Sequence, residues 1–288
     1  MKRILCLSDM HVWSAYGLWP EGMEDEDPQT GEMIPLPPNA INKKIGEHFN
    51  KMLKQIKIHP PEVVLFNGDL IEGPQDFERG KGLMTRNIDL QAVACIKMID
   101  MIKKAAPKSV FYFTAGTGYH QRSDGHSVDR FIAKHYKAEF GNELIIEECG
   151  IRMFARHVIS SSSSTWQYLA TAPGREHLLL YVNKGNPNEE GEEKYGKIDV
   201  AVFSHRHQFV EVAFPSGIAV VTPCWQSKTP YASVKKGLMG VPDIGWITLE
   251  ILGPGKIHVD KTNIKTVVRP CKVVGRDGKV ATGGKTTN

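Results

Sequence analysis

The sequence predicts an α/β fold in layers, and three observations carry that expectation. Short apolar runs alternate with amphipathic helical stretches through the first 120 residues. From Val200 onward the pattern changes to short β segments. The composition is an ordinary globular mixture of 288 residues, with 41% hydrophobic, 24% charged, 27 Gly and 17 Pro. That mixture excludes disordered, collagenous and coiled-coil classes.

The elements follow in order. Arg3 to Leu7 contains the apolar run Ile4 to Leu7 and reads as a buried strand. Residues 13–39 are rich in Pro, Gly and acids, with Glu21, Glu24, Asp25, Glu26 and Asp27, and read as a surface loop of the length used for lids. Its Trp13, Tyr16 and Trp19 are placed to cover or line a cleft, with the acids facing solvent. Ala40 to Ile58 carries Ile41, Ile45, Phe49, Met52, Leu53 and Ile56 at helical spacing and is closed by Pro60 and Pro61. Glu62 to Phe66 is a second strand, Asn87 to Lys104 a helix and Ser109 to Thr114 a third strand. Ser127 to Lys137 reads as a short helix, and Leu144 to Glu147 and Ile151 to Ile159 as strands. The serines 160–164 are expected to open a helix from Thr165 to Ala170, and His177 to Val182 is a short apolar segment before the charged loop 185–197. Expected strands then run over Val200 to Phe203, Phe209 to Ala213, Ile218 to Thr222, Trp246 to Ile251, Lys256 to Asp260 and Thr266 to Val268. A hairpin at Asp277-Gly278 is the one structured feature expected in the Gly- and Lys-rich tail. The length suits one domain of about 250 residues. It is placed at 1–268 with 13–39 as an insert and 269–288 as a tail.

Charge and cysteine usage narrow the function classes. Lys and Arg number 36 against 32 Asp and Glu, a net +4 too weak to prove a nucleic-acid partner. No apolar run approaches the roughly 18 residues of a membrane span. The opening MKRILCLSDMH meets Asp9 and His11 too early for a signal peptide, so a soluble, cytoplasmic protein is expected. The cysteines at 6, 95, 149, 224 and 271 form neither a CxxC pair nor a disulfide framework. Any metal site is therefore built from His and carboxylates, which suit borderline or hard divalent ions.

Four features sit where strands end, the place where open α/β sheets put their sites. They are Asp9-Met10-His11, Gly68-Asp69, Gly116-Thr117-Gly118-Tyr119-His120 and Ser204-His205-Arg206-His207. Alone, each has a bland reading as a strand cap, a tight turn or a surface histidine. The last is the most specific, because residues i and i+2 of an extended chain point to one side. Jointly they supply what a two-metal hydrolytic centre needs: carboxylates, one of them bridging, and neutral imidazoles.

That order of motifs resembles the calcineurin-like metallophosphoesterase superfamily, whose pattern runs DxH, GDxx(D/N), GNH(D/E), a lone His and GHxH. The match covers residues 4 to about 250 and extends to a likeness to a phage or prophage branch. The resemblance implies a four-layer sandwich of two mixed β-sheets flanked by α-helices. It makes Asp9, His11 and His207 ligands of a first metal, Asp69 the bridge, and His205 a ligand of the second. The lone histidine is matched by His157, with His177 as a competitor that looks structural. Two divalent ions are implied, manganese first, with zinc, iron or nickel as alternatives. The implied activity is hydrolysis of phosphate esters, most readily phosphodiester or nucleotide-type substrates, by a hydroxide shared between ions about 3.5 to 4 Å apart.

The departures open alternatives. Thr117 stands where the pattern has a metal-binding Asn, and a hydroxyl is a weaker ligand than an amide oxygen. His120 then serves as general acid or as a substitute ligand, the acid role being preferred. Ser204 replaces a Gly, and Glu72 reads as an outer or loop residue. Arg122, Arg156 and Arg206 adjoin three motifs; Arg122 and Arg156 are the candidates to clamp phosphate oxygens, set against a reading as exposed surface charges. His126 lies close enough to His120 to stand behind the site. The competing functions are a metal-binding scaffold without hydrolysis, and a nuclease acting on DNA ends, the latter motivated by the lysine-bearing helix Lys43 to Lys57. The expected partner is the phosphate-ester substrate, with nucleic acid open, no membrane, and the oligomeric state undetermined.

Overall fold

The computed structural model describes the chain apart from residues 28, 76–79, 81, 122–126, 160–169, 184–195, 230–240, 254, 267–271, 275–279 and 283–288. The elements are β1 (Lys2–Leu7), β2 (Glu24–Glu26), β3 (Met33–Pro35), α1 (Ala40–Ile58), β4 (Val63–Asn67), α2 (Ile88–Ala105), β5 (Val110–Thr114), α3 (Val128–His135), β6 (Glu139–Gly141), β7 (Glu143–Glu148) and β8 (Ile151–Arg156). They continue with α4 (Thr171–Asn183), β9 (Val200–Phe203), β10 (Val210–Phe214), β11 (Gly217–Val221), β12 (Asp243–Ile244), β13 (Ile247–Gly253), β14 (Lys256–Asp260), β15 (Lys265–Thr266), β16 (Lys272–Val274) and β17 (Val280–Thr282).

Two mixed sheets form the centre. One has the order β14-β13-β1-β4-β5-β6 and the other β10-β11-β9-β8-β7. In the first, β1, β4, β5 and β6 are parallel, β13 runs against them, and the edge strand β14 pairs antiparallel with β13. In the second, β8, β9 and β11 are parallel, with antiparallel β7 and β10 outside them. The parallel strands are covered on both faces and so read as continuous apolar runs. Their alternation sorts the side chains into layers. Leu5, Leu7, Val64 and Phe66 face α1, α2 and α3 in one core. Ile4, Cys6, Val63 and Leu65 face Met153, Ala155, Val200, Val202 and Val220 between the sheets. Phe154, Ala201, Phe203 and Val221 face Ala172 and Leu180 of α4. Helices, sheet, sheet and helix make the four-layer sandwich that the family resemblance implied.

The helices begin where their caps direct. Asn39 accepts from the Ile41 and Asn42 backbone amides at 2.8 and 3.0 Å, and Asn42 Oδ1 accepts from the Asn39 amide at 3.1 Å. This reciprocal pair satisfies amides that the first turn leaves without partners. Asn87 caps α2 by a single bond, accepting from the Leu90 amide at 3.1 Å.

The segment 13–39 corrects the sequence expectation. It is not a surface lid at its aromatic end: Trp13, Leu18, Trp19 and Met23 are buried in the helix-side core, and Trp13 stacks on Trp19 at 4.4 Å between centroids. Asn42 Nδ2 donates to the Ser14 and Gly17 carbonyls at 3.0 and 2.8 Å and holds the turn against α1. Only the β2–β3 hairpin is largely exposed. Single large aromatics spaced among acids carry no period, which is why burial was not legible. His177 and the short apolar segment it opens lie within α4; His177 is buried, with Nε2 3.2 Å from Ser216 Oγ and its ring stacked on Phe214. The expected helix from Thr165 and the expected hairpin turn at Asp277-Gly278 fall outside the described residues; β16 and β17 pair antiparallel. Thr266 lies in β15, and Val268 is outside the described residues. Among the described residues no helix is long and apolar enough to cross a membrane.

Candidate metal centre

The carboxyl ends of parallel strands from both sheets bring the four motifs together. Asp9 and His11 follow β1, Asp69 follows β4, Thr117 and His120 follow β5, His157 follows β8, and His205 and His207 follow β9. Backbone bonds carry the pairing of β1 and β4 past the strand ends: the Asp9 amide donates to Gly68 O at 3.0 Å and the His11 amide to Asp69 O at 3.2 Å. The Ser204 amide does the same to His157 O at 3.0 Å.

These loops carry unusual backbone. Asp9 (φ 46°), His11 (φ 43°), Asp69 (φ 51°), His205 (φ 73°) and His207 (φ 57°) are all left-handed. That conformation is uncommon for residues other than glycine, and its concentration in one place marks a functional site. Two glycines permit the close approach. A Cβ on Gly116 would lie 2.1 Å from Asp69 Oδ1, and one on Gly68 would lie 2.7 Å from the His157 ring.

Three trios of side chains converge, each with ligand atoms within 4.8 Å of one another: Asp9, His11 and His207; His11, Asp69 and His120; and Asp69, His157 and His205. Asp9 Oδ1 lies 3.2 Å from His207 Nε2 and 3.9 Å from both His11 Nε2 and His157 Nε2. Asp69 Oδ2 lies 2.9 Å from His157 Nε2 and 3.8 Å from His120 Nε2. Asp9 Oδ1 and His157 Nε2 are buried without an aligned hydrogen bond among the described residues. Buried polar atoms are otherwise nearly always bonded. Orphaned carboxylate oxygen and imidazole nitrogen pointing at one small space, with no thiolate, is the donor set that a divalent cation fits.

The surroundings orient the rings. His157 Nδ1–H donates to Asn67 O at 2.6 Å and His120 Nδ1–H to Glu72 O at 2.6 Å, so in the neutral ring each Nε2 is the free lone pair. Glu72, buried, places Oε2 3.0 Å from His11 Nδ1, the arrangement by which carboxylates orient metal-binding imidazoles. Gln75 and Gln226 donate to the same carboxylate. Thr117 donates its amide to Asp69 Oδ1 at 2.6 Å, and its hydroxyl lies 3.2 Å from both carboxylate oxygens. The threonine thus holds Asp69 from the position where an amide ligand was expected.

Charge follows this geometry. Burial works against ionisation of His157, but the Asp69 and then the Asp9 carboxylates override it and raise the ring to about 9. Burial also opposes a charged His207, and the Cys224 sulfur and Asp9 beside it hold it well above the ordinary value. Burial, reinforced by His157, pushes His205 down to about 4. Asp69 is pressed upward by burial and held well below the carboxylate range by His157 and His120.

Of the predicted substrate contacts, Arg122 lies outside the described residues, as does His126. Arg156 requires a correction. Its Nη2 is 2.8 Å from Glu176 Oε2, its Nε donates to Val158 O at 3.0 Å, and it lies over the Phe154 and Phe203 rings. Strand alternation turns it to the α4 face, opposite Met153 and Ala155, and away from the carboxylates. Sequence reasoning missed Asp129, whose carboxylate accepts from the Gly116 amide at 2.8 Å, Gln121 at 3.0 Å and the Leu70 amide at 3.3 Å. Burial and then the Asp69 charge raise it to about 6. Within α3 it follows its cap Ser127 by two residues and reads as a first-turn acid, with no signal that it turns inward.

In its layers and motif order the chain resembles the calcineurin-like metallophosphoesterases. No family model and no curated protein matches it at sequence level. Among solved structures it is similar to wild-type Vps29 in complex with zinc from Entamoeba histolytica, at 13% identity over 90% of this chain and 97% of that one, TM-score 0.41. It is similar to an archaeal phosphodiesterase at 10% identity over 90% and 98% of the two chains, TM-score 0.42. The phosphoesterase Yfce from E. coli is similar at 12% identity over 86% and 88%, TM-score 0.40.

Proposed function

We propose that the chain is a phosphoesterase with two divalent ions, manganese first among the candidates, acting on phosphodiester or nucleotide-type esters. The observation that carries the reading is the convergence of the trios on shared members, with Asp69 common to the second and third. Asp9, His11 and His207 would hold one ion, His157 and His205 the other, with Asp69 between them. Bound ions supply Lewis-acid stabilisation of charge developing on phosphoryl oxygens. The chain does the rest. Thr117 fixes the Asp69 carboxylate, Glu72 turns Nε2 of His11 inward, and His120, with a side chain 21% exposed, reaches the open side of the site. His120 Nε2, anchored from behind by the Glu72 carbonyl, is placed to hand a proton to a leaving oxygen.

Manganese-dependent cleavage of bis(p-nitrophenyl) phosphate, lost in Asp69→Asn and His207→Ala, is the expected result. A protein that binds manganese, nickel, cobalt or zinc and turns over no ester overturns the enzyme reading. A metal-binding scaffold would then stand, a reading favoured by Thr117 in place of an amide ligand.

A further inference from the structure

A file of buried side chains crosses both sheets beneath the site. Thr114 Oγ1 donates to Asn67 Oδ1 at 2.7 Å, and Asn67 Nδ2 donates to Ser204 Oγ at 2.6 Å. Ser204 Oγ lies 2.7 Å from Thr222 Oγ1, Thr222 Oγ1 lies 2.6 Å from Ser8 Oγ, and Ser8 Oγ donates to Asp9 Oδ2 at 2.7 Å. These residues stand at the ends of β5, β4, β9, β11 and β1, and every one is fully buried.

The direction of the protons is fixed at both ends. A carboxylate only accepts, so Ser8 gives its proton to Asp9 and must receive one from Thr222; Thr222 must then receive one from Ser204. Ser204 accepts from the Asn67 amide, and the Asn67 carbonyl from Thr114. The longer alternatives, Ser8 Oγ to Pro223 O and Thr222 Oγ1 to Phe203 O, are both 3.3 Å and break the file. Aligned bonds of this kind polarise one another. With the His205 amide at 3.2 Å, Oδ2 of Asp9 has two donors while Oδ1 has none and faces three imidazoles.

We propose that this file is a positioning device that locks the Asp9 carboxylate so that Oδ1 alone is presented to cations, and that Ser204 and Thr222 are positioning residues of the centre. Ser204 stands where the related motif has glycine, so the device is written in this chain's own sequence. The inference rests on the metal-centre reading above.

Manganese affinity of the full chain, titrated directly, tests it. Thr222→Val keeps the shape and removes the hydroxyl, and a 10- to 100-fold weaker affinity is expected, as for other groups that orient metal ligands. Thr222→Ser restores most of it. Ser204→Ala has the same effect, and the double variant Ser204→Ala/Thr222→Val is no weaker than either single one, because one break empties the file. Unchanged manganese affinity with a lowered melting temperature of the metal-free protein would make the file merely structural and overturn the proposal. If the wild-type chain takes up no manganese, the metal-centre reading fails by itself, and the Asp9 carboxyl carbon resonance of metal-free protein decides the file. A shift of that resonance in Thr222→Val, with Asp69 unmoved, upholds it, and no shift overturns it.

Discussion

Nε2 of His11 lies 3.0 Å from Nε2 of His207, with Asp9 Oδ1 3.2 Å from the latter. Two imidazole nitrogens face to face either share one proton or share a cation. Their trio has no member in common with the trio Asp69, His157 and His205. Loss of either set is therefore expected to remove one ion and spare the other. Elemental analysis after equilibration with manganese should give about half the wild-type metal content in His207→Ala and in His205→Ala. Wild-type content in both would remove these residues from the centre.

Gly116 is where backbone and carboxylate meet. An added Cβ would lie 2.1 Å from Asp69 Oδ1, whereas a Cβ on Gly118 would meet nothing within 4 Å. Gly116→Ala is expected to push the Asp69 carboxylate aside and weaken manganese binding at least about 10-fold. Gly118→Ala, two residues away, should bind as the wild type does. Equal effects of the two would point to a general softening of the turn.

Glu72 offers a subtler change. Its Oε2 lies 3.0 Å from His11 Nδ1 and the side chain is buried. Glu72→Gln preserves volume but removes the charge that raises the basicity of His11. Manganese affinity is expected to fall about 10- to 100-fold, with the stoichiometry unchanged. Full retention of affinity would show that packing alone orients His11.

The fold and the convergence of most candidate ligands were legible because both rest on short-range signals. The apolar runs of β1, β4 and β9 announce buried parallel strands, and each is followed within four residues by Asp9, Asp69 or His207. Those residues need only their position at a strand end to converge. What was not legible depends on partners distant in sequence. Trp13 and Trp19 are core residues because of each other and α1, and Asp129 turns inward because the Gly116 amide waits for it. Ser8, Asn67 and Thr222 are common residue types whose meaning appears only when five strand ends are brought side by side. Arg156 was misplaced for a local reason: β8 places Phe154 and Arg156 on one face and His157 on the other.

Protons and cations compete for the same atoms, and this fixes the pH dependence. Without metal, the Asp69 and Asp9 carboxylates raise His157 from 6.5 to about 9 against the effect of burial. A raised histidine stabilises the fold fully below its unfolded value, and that stability is lost as pH climbs through the folded value. The metal-free protein is therefore expected to lose thermal stability between about pH 6.5 and 9 from this group. The cation needs the neutral ring, so each ion bound at His157 displaces a proton, and affinity should climb over the same interval. His205, held down at about 4 in the fold, makes its own contribution mainly between about pH 4 and 6.5, below this interval. Melting curves with chelator and with saturating manganese should thus diverge as pH rises, the first falling and the second holding or rising. The His157→Gln variant should reduce the metal-free slope, leaving the part that His207 contributes. Parallel curves in the wild type would show that His157 does not exchange its proton for a cation.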